Sequence, residues 1–219
     1  KNNNNAFTII DNSYSTSLFQ KPLALGADIV VYSASKYFGG HSDLVAGIIC
    51  SSKERIDKIF KNEFMTLGNN ISPNDAWLIL RGLRTLPLRM EKISESTAKV
   101  VQYLKTHPKV EKIFYPFDEN FEQYSLAKKQ MKKCAGLFTI KLKVENLEKA
   151  ENFCNSLKRF LLACSWGGHE SLIFPSCIYF NSNLKSTLAN LSFDLVRFYV
   201  GLEEPEVLIE DLADALSGL

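Results

Sequence analysis

Paired cysteines are missing from this chain. There are five, an odd count, at Cys50, Cys134, Cys154, Cys164 and Cys177, and no two stand at CxxC spacing. The spacing signature of a structural zinc site is absent, and a disulfide framework is not expected. Reduced thiols in a cytoplasmic protein are the simpler reading. Histidine is scarce as well. His41, His107 and His169 are isolated from one another, so no metal site is expected. No apolar run reaches membrane-spanning length and the start lacks a signal-peptide pattern, which argues against a membrane partner. Dense basic runs are also lacking. The formal net charge is only +2, and the lysines at 128, 129, 132 and 133 have the spacing of a solvated helix face, so nucleic acid is not an expected partner. An initiating methionine is missing too. The chain opens Lys1-Asn-Asn-Asn-Asn5, a surface turn or weak linker, and reads as a piece of a longer protein.

What is present describes an α/β protein. With 219 residues the chain can bury a real core as one large or two small domains. Ala6–Ile10 is short, β-rich and apolar throughout, the pattern of a strand buried on both faces in a parallel sheet. Asp28–Ser33 and Leu44–Cys50 are two more strands, and Lys53–Phe64 reads as a helix. Strands alternating with helices predict a mostly parallel sheet. A further helix starts at Ser72, an N-cap followed by Pro73 and, three residues on, Asp75. Pro87 is expected to break or kink it, with a second stretch from Leu88 to about Thr106.

The second half has another character. Val110–Tyr115, the alternating Leu137–Lys143 and Leu195–Val200 read as strands. Helices are expected over Leu147–Leu157 and from Pro205, with Leu208, Leu212 and Leu216 as its buried stripe. This predicts a small α+β domain over residues 96–219, an antiparallel sheet backed by helices. Residues 1–95 read as the C-terminal part of a large α/β domain.

Strand ends are where ligands bind in such folds. Asp11 ends the first strand, and Ser33-Ala-Ser35-Lys36 ends the second. A lysine there can form an imine with an aldehyde cofactor, hydroxyls can bind a phosphate, and a carboxylate can hold a protonated pyridine nitrogen. Pyridoxal 5′-phosphate asks for all three. Taken singly, each residue has a plainer reading, as surface charge, helix cap or turn.

The longer string is more specific. Asp11-Asn-Ser13, Gly26-Ala-Asp-Ile-Val30 and Ser33-Ala-Ser-Lys36-Tyr-Phe-Gly-Gly-His-Ser-Asp43 resemble the Cys/Met-metabolism pyridoxal-phosphate enzymes, the transsulfuration family. Arg81-Gly-Leu-Arg-Thr-Leu86, Ser165-Trp-Gly-Gly-His-Glu-Ser-Leu172 and Leu195-Val-Arg197 continue the likeness in order. The resemblance implies an aspartate-aminotransferase-like (fold type I) subunit and assigns roles by position. Lys36 would carry the cofactor as a Schiff base and move protons. Ser33 and Ser35 would bind its phosphate, and Asp11 would face its ring nitrogen. Arg197 would grip the substrate α-carboxylate, helped by Ser165 and Trp166. The plainer readings are a tight turn for Gly39 and Gly40, a structural hydrogen bond for His41, and either a subunit interface or a solvated face for Arg81 and Arg84.

The resemblance also implies a carbon–sulfur lyase acting on a sulfur amino acid by β-elimination, since Ser165-Trp-Gly-Gly is most like the β-lyase branch. Cystathionine γ-synthase or γ-lyase chemistry is the alternative, and an inactive half that works only with a partner is another. Full-length members are expected to be homo-oligomers, dimers of dimers. The family's earlier portion, with its glycine-containing phosphate loop and ring-stacking tyrosine, has no counterpart here, so this chain alone is expected to be inactive.

Overall fold

Short runs rich in β-branched and other apolar residues build two sheets. The computed structural model describes residues 6–180 and 191–219, so the Asn-rich opening lies outside the described residues. The first sheet holds β1 (Ile9–Asp11), β2 (Ile29–Ser33) and β3 (Gly47–Ser51) in that order. The second holds β4 (Val110–Phe114), β5 (Leu137–Leu142), β6 (Leu161–Leu162), β7 (Leu172–Pro175) and β8 (Leu195–Tyr199), in the order β4-β5-β8-β7-β6. The helices are α1 (Thr16–Phe19), α2 (Lys53–Ile59), α3 (Met65–Leu67), α4 (Pro73–Lys105), α5 (Tyr124–Gln130), α6 (Leu147–Ser156) and α7 (Pro205–Ser217). A π-helical turn, Phe60–Phe64, joins α2 to α3.

The first sheet is mixed, not mostly parallel. β1 pairs with β2 in parallel, but β3 runs antiparallel to β2. The connection over residues 34–46 holds turns but no helix, and parallel neighbours are usually joined by a helical crossover. β1 also differs from a strand buried on both faces. It pairs on one side only among the described residues, and Ile9 is 61% exposed. The second sheet is antiparallel apart from β6–β7. Along β5, Phe138, Ile140 and Leu142 are buried while Leu137, Thr139 and Lys141 are only partly so, the alternation expected of a half-exposed strand.

α4 is one helix of 33 residues that passes through Pro87 without ending. Its start is as the sequence predicts: the Ser72 hydroxyl accepts from the Asp75 N–H at 3.0 Å. An interior proline costs about 3 kcal/mol. Burial outweighs that, because a fully buried large apolar side chain contributes about 1.5–3 kcal/mol. α4 buries Ile79, Leu86, Met90 and Ile93 against the first sheet's core, then Val100, Val101 and Leu104 against the second's. Leu80, on its outer face, is 61% exposed. Among the described residues no helix is long and apolar enough to cross a membrane.

Candidate active site

Asp11 and Ser33 stand at the carboxyl ends of two neighbouring parallel strands. Asp11 pairs in register with Val31, so Asp11, Val31 and Ser33 share one face of the sheet. Val30 and Tyr32 face the core on the other side. The loop after β1 is tied to the end of β2, where the Ser33 N–H donates to the Ser13 hydroxyl at 2.6 Å. Asn12 is buried and donates to the carbonyls of Thr16 and Gln20. Asp11 itself is exposed, and one of its oxygens accepts from the Ser13 N–H at 2.8 Å. The face carrying Asp11 is open among the described residues.

Lys36 leaves a turn closed by its own backbone. Its N–H donates to Ser33 O, and its carbonyl accepts from the Gly40 N–H at 2.8 Å. The side chain is half-buried and Nζ donates to Ser165 Oγ at 3.1 Å. Nζ also lies 5.3 Å from the centre of the Trp166 ring. Residues 129 positions apart in sequence thus meet at one amine. Gly167 makes the approach possible. Its φ is +87°, and a Cβ there would stand 2.8 Å from Lys36 Cβ and 2.9 Å from Tyr37 N. His41 Nδ1 lies 2.8 Å from Gly39 O. Arg81 and Arg84 are exposed on α4.

Arg197 reaches the same loop from β8. Its Nη2 donates to Cys164 O at 2.7 Å, and the guanidinium lies 5.1 Å from the centre of the Phe174 ring. Burial pulls this guanidinium below its ordinary pKa. Lys36 and Arg197 are therefore held at successive residues of one loop, through Ser165 and Cys164. Ser35 points elsewhere, and its hydroxyl accepts from the Ala46 N–H at 3.0 Å and donates to Ala46 O at 3.4 Å. A cleft of about 430 Å³ between α4 and α5, lined by Glu95, Lys105, Asp118 and Lys132 among others, contains none of these residues.

Two residues at the site carry no signal that the sequence patterns bring out. Tyr37 is fully buried, its hydroxyl accepts from the Gly136 N–H at 3.0 Å, and its ring meets Trp166 edge-on at 5.5 Å. Burial drives its phenol pKa well above the ordinary value. Arg89 is buried with Nη1 on Tyr37 O at 2.7 Å, Nη2 on Gly82 O at 2.8 Å and Nε on Thr85 Oγ1 at 3.1 Å. It lies on the buried face of α4 with Leu86, Met90 and Ile93.

Fold and site together define an α/β protein built around a strand-end lysine, with a strand-borne arginine facing the same loop. Comparison with known proteins narrows the class. A family model described as "Cys/Met metabolism PLP-dependent enzyme" matches residues 1–217, and the chain belongs to that family. It is 43% identical over 211 residues to a cystathionine gamma-lyase of Sus scrofa, covering 95% of this chain and 52% of that protein. It is 39% identical over 215 residues to a cystathionine beta-lyase of Lactococcus lactis subsp. cremoris, covering 97% and 56%. An L-methionine gamma-lyase of Treponema denticola is 40% identical over 215 residues, covering 96% and 53%. The chain spans about half the length of these curated relatives.

Proposed function

We propose that Lys36 holds pyridoxal 5′-phosphate and that the activity is carbon–sulfur bond cleavage in a sulfur amino acid, by β-elimination of cystathionine or a related substrate. The observation that carries this reading is the meeting of Lys36 Nζ with Ser165 Oγ beside the Arg197–Cys164 contact. The residues fit the cofactor. Asp11 and Ser33 share one face next to the lysine turn, and Ser35 lies two residues from Ser33, its hydroxyl accepting from the Ala46 N–H and donating to Ala46 O. When bound, the cofactor supplies an aldehyde for the lysine amine and an electron sink for charge at the substrate α-carbon.

The chain's own groups would do the rest. Asp11 would accept a hydrogen bond from the ring nitrogen. The Ser33 and Ser35 hydroxyls would bind phosphate. Ser165 Oγ would orient Lys36 Nζ, and Nζ would take the α-proton and return one later. The Arg197 fork, with Ser165 beside it, would hold the α-carboxylate. The centre of the Trp166 ring lies 5.3 Å from the amine, and the resemblance of Ser165-Trp-Gly-Gly to the β-lyase branch favours the β-lyase reading. The two gamma-lyase relatives favour γ-elimination as the competing reading. The products separate the two: homocysteine and pyruvate from β-elimination of cystathionine, cysteine and 2-oxobutyrate from γ-elimination.

The reading extends to a division into a cofactor-side domain 1–95 and a small domain 96–219, a homo-oligomeric protein and a cytoplasmic location. Its test is chemical trapping. The chain is incubated with pyridoxal phosphate, reduced with borohydride and digested for peptide mapping. The pyridoxyl label is expected on Lys36 and absent from Lys36→Ala. A label spread over exposed lysines, with Lys36 unmodified, would overturn the assignment.

A further inference from the structure

Arg89 is a buried cation whose hydrogen bonds go to neutral acceptors. Its three hydrogen-bond partners are two carbonyls and a hydroxyl, and burial lowers its pKa. Burying a charge is costly unless it is paired or well hydrogen-bonded, and here hydrogen bonds alone offset the cost. The geometry here is that of a clamp on the lysine turn. Nη1 takes the carbonyl of Tyr37, the residue after Lys36. The guanidinium fills the space under Gly40, where any Cβ would collide with it. On the same face of α4, Gly82 lets the helix backbone touch the carbonyls of Phe38 and Gly39. Arg89 Nη2 returns to Gly82 O, so one planar fork spans helix and turn.

The second loop of the site is tied into the same place. The centre of the Tyr199 ring lies 6.1 Å from that of Tyr37, whose carbonyl Arg89 holds. The Tyr199 hydroxyl donates to Gly168 O at 2.8 Å, in the loop that brings Ser165 to Lys36. Gly167 of that loop presses on the Lys36 backbone. Lys36 is therefore held between a loop anchored through Tyr199 and a turn anchored by Arg89.

We propose that Arg89 is a positioning residue for Lys36: by holding the Tyr37 carbonyl from behind, its fork fixes the direction in which the Lys36 amine is presented to Ser165 and to a ligand aldehyde. The proposal rests on the reading of Lys36 as the reactive amine. It predicts that loss of the fork changes the behaviour of Lys36 Nζ far more than it changes the rest of the fold. A merely structural role would disturb the whole core together.

The test uses the full chain and ¹³C-formaldehyde with a mild borane reductant, so it does not depend on pyridoxal phosphate. Methylation rates of each lysine are read by peptide mass spectrometry, with exposed Lys53 as internal reference. The Lys36 dimethylamine resonance is followed in parallel. Arg89→Met is expected to shift the Lys36-to-Lys53 rate ratio at least fivefold and to move the Lys36 resonance to the position of the exposed lysines. Leu86→Ala, a cavity on the same helix, is expected to lower the unfolding midpoint and leave the ratio unchanged. Arg89→Lys keeps a charge and loses the planar fork, so its ratio is expected to fall between parent and Arg89→Met. If Arg89→Met does not fold, Arg89→Lys decides, and a parental ratio there overturns the proposal. Equal shifts in Arg89→Met and Leu86→Ala, or none in either, overturn it as well. Failure of the borohydride trapping at Lys36, with the methylation result intact, would instead reject the cofactor assignment and leave the clamp standing.

Discussion

Replacing Gly167 by alanine tests whether two distant segments meet at Lys36 as closely as described. Gly167 has φ +87°, and an added methyl group would press on Lys36 Cβ at 2.8 Å, Lys36 Cα at 2.9 Å and Tyr37 N at 2.9 Å. Two costs add. A left-handed backbone at a non-glycine residue costs about 1–2 kcal/mol. Forcing a methyl group into packed backbone costs about 1–3 kcal/mol more. Gly26 supplies the control, since its φ is +97° and a Cβ there meets nothing within 4 Å. Gly26→Ala should show the backbone cost alone. The benefit of a stiffer unfolded chain is common to both variants and cancels. Urea denaturation of the two variants should therefore differ by about 1–3 kcal/mol, with Gly167→Ala the weaker. In thermal melts that is about 2–4 °C per kcal/mol for a chain of this size. Gly167→Ala should also alter the Lys36 methylation rate, while Gly26→Ala leaves it alone. Equal destabilisation by the two variants would refute the close approach of the loop to the lysine turn.

Other expectations follow from single contacts. Tyr37→Phe leaves the buried Gly136 N–H without its acceptor and should cost about 1–3 kcal/mol, with faster hydrogen exchange at that amide. Asp118 is buried, which alone would raise its pKa, but the Lys105 ammonium at 2.8 Å and the Asn120 N–H outweigh this and hold its carboxyl below the ordinary range. Its contribution is thus fully present above the ordinary carboxylate pKa and is lost as pH falls through the depressed folded value. Asp118→Asn should destabilise the protein by about 1.5–3 kcal/mol at neutral pH and flatten the acid limb of the stability curve. A parallel acid limb in that variant would discard the pairing as its cause. Arg197→Lys loses the fork held by Cys164 O and Phe174, and should weaken binding of a small amino-acid carboxylate by about ten- to a hundredfold, read from Trp166 fluorescence.

Much of the second half was legible because its periods are regular. The two-residue alternation along Leu137–Leu142 and the stripe of Leu208, Leu212 and Leu216 each report a single buried face. The Ser72 cap was legible because capping is a local rule. Pro87 misleads for the opposite reason. Whether an interior proline ends a helix depends on what each half buries, and that is decided by residues far away in sequence. The antiparallel direction of β3 is hidden because it follows from the turn around Lys36, whose hydrogen bonds do not appear as a pattern. Lys36, Asp11, Ser33 and Arg197 could be singled out as chemistry-bearing types at strand ends or in motifs. Arg89 could not, since its meaning lies in a carbonyl 52 residues earlier. The opening of Asp11 to solvent was equally invisible, because burial depends on what covers the sheet.

The contacts at Cys164 and Ser165 couple two side chains. Lys36 is held by one residue of that pair and Arg197 by the other, so both are referenced to adjacent residues of one loop. A displacement of that short segment moves the partner of the amine and the partner of the guanidinium together, so a substitution that shifts the loop should disturb both contacts at once.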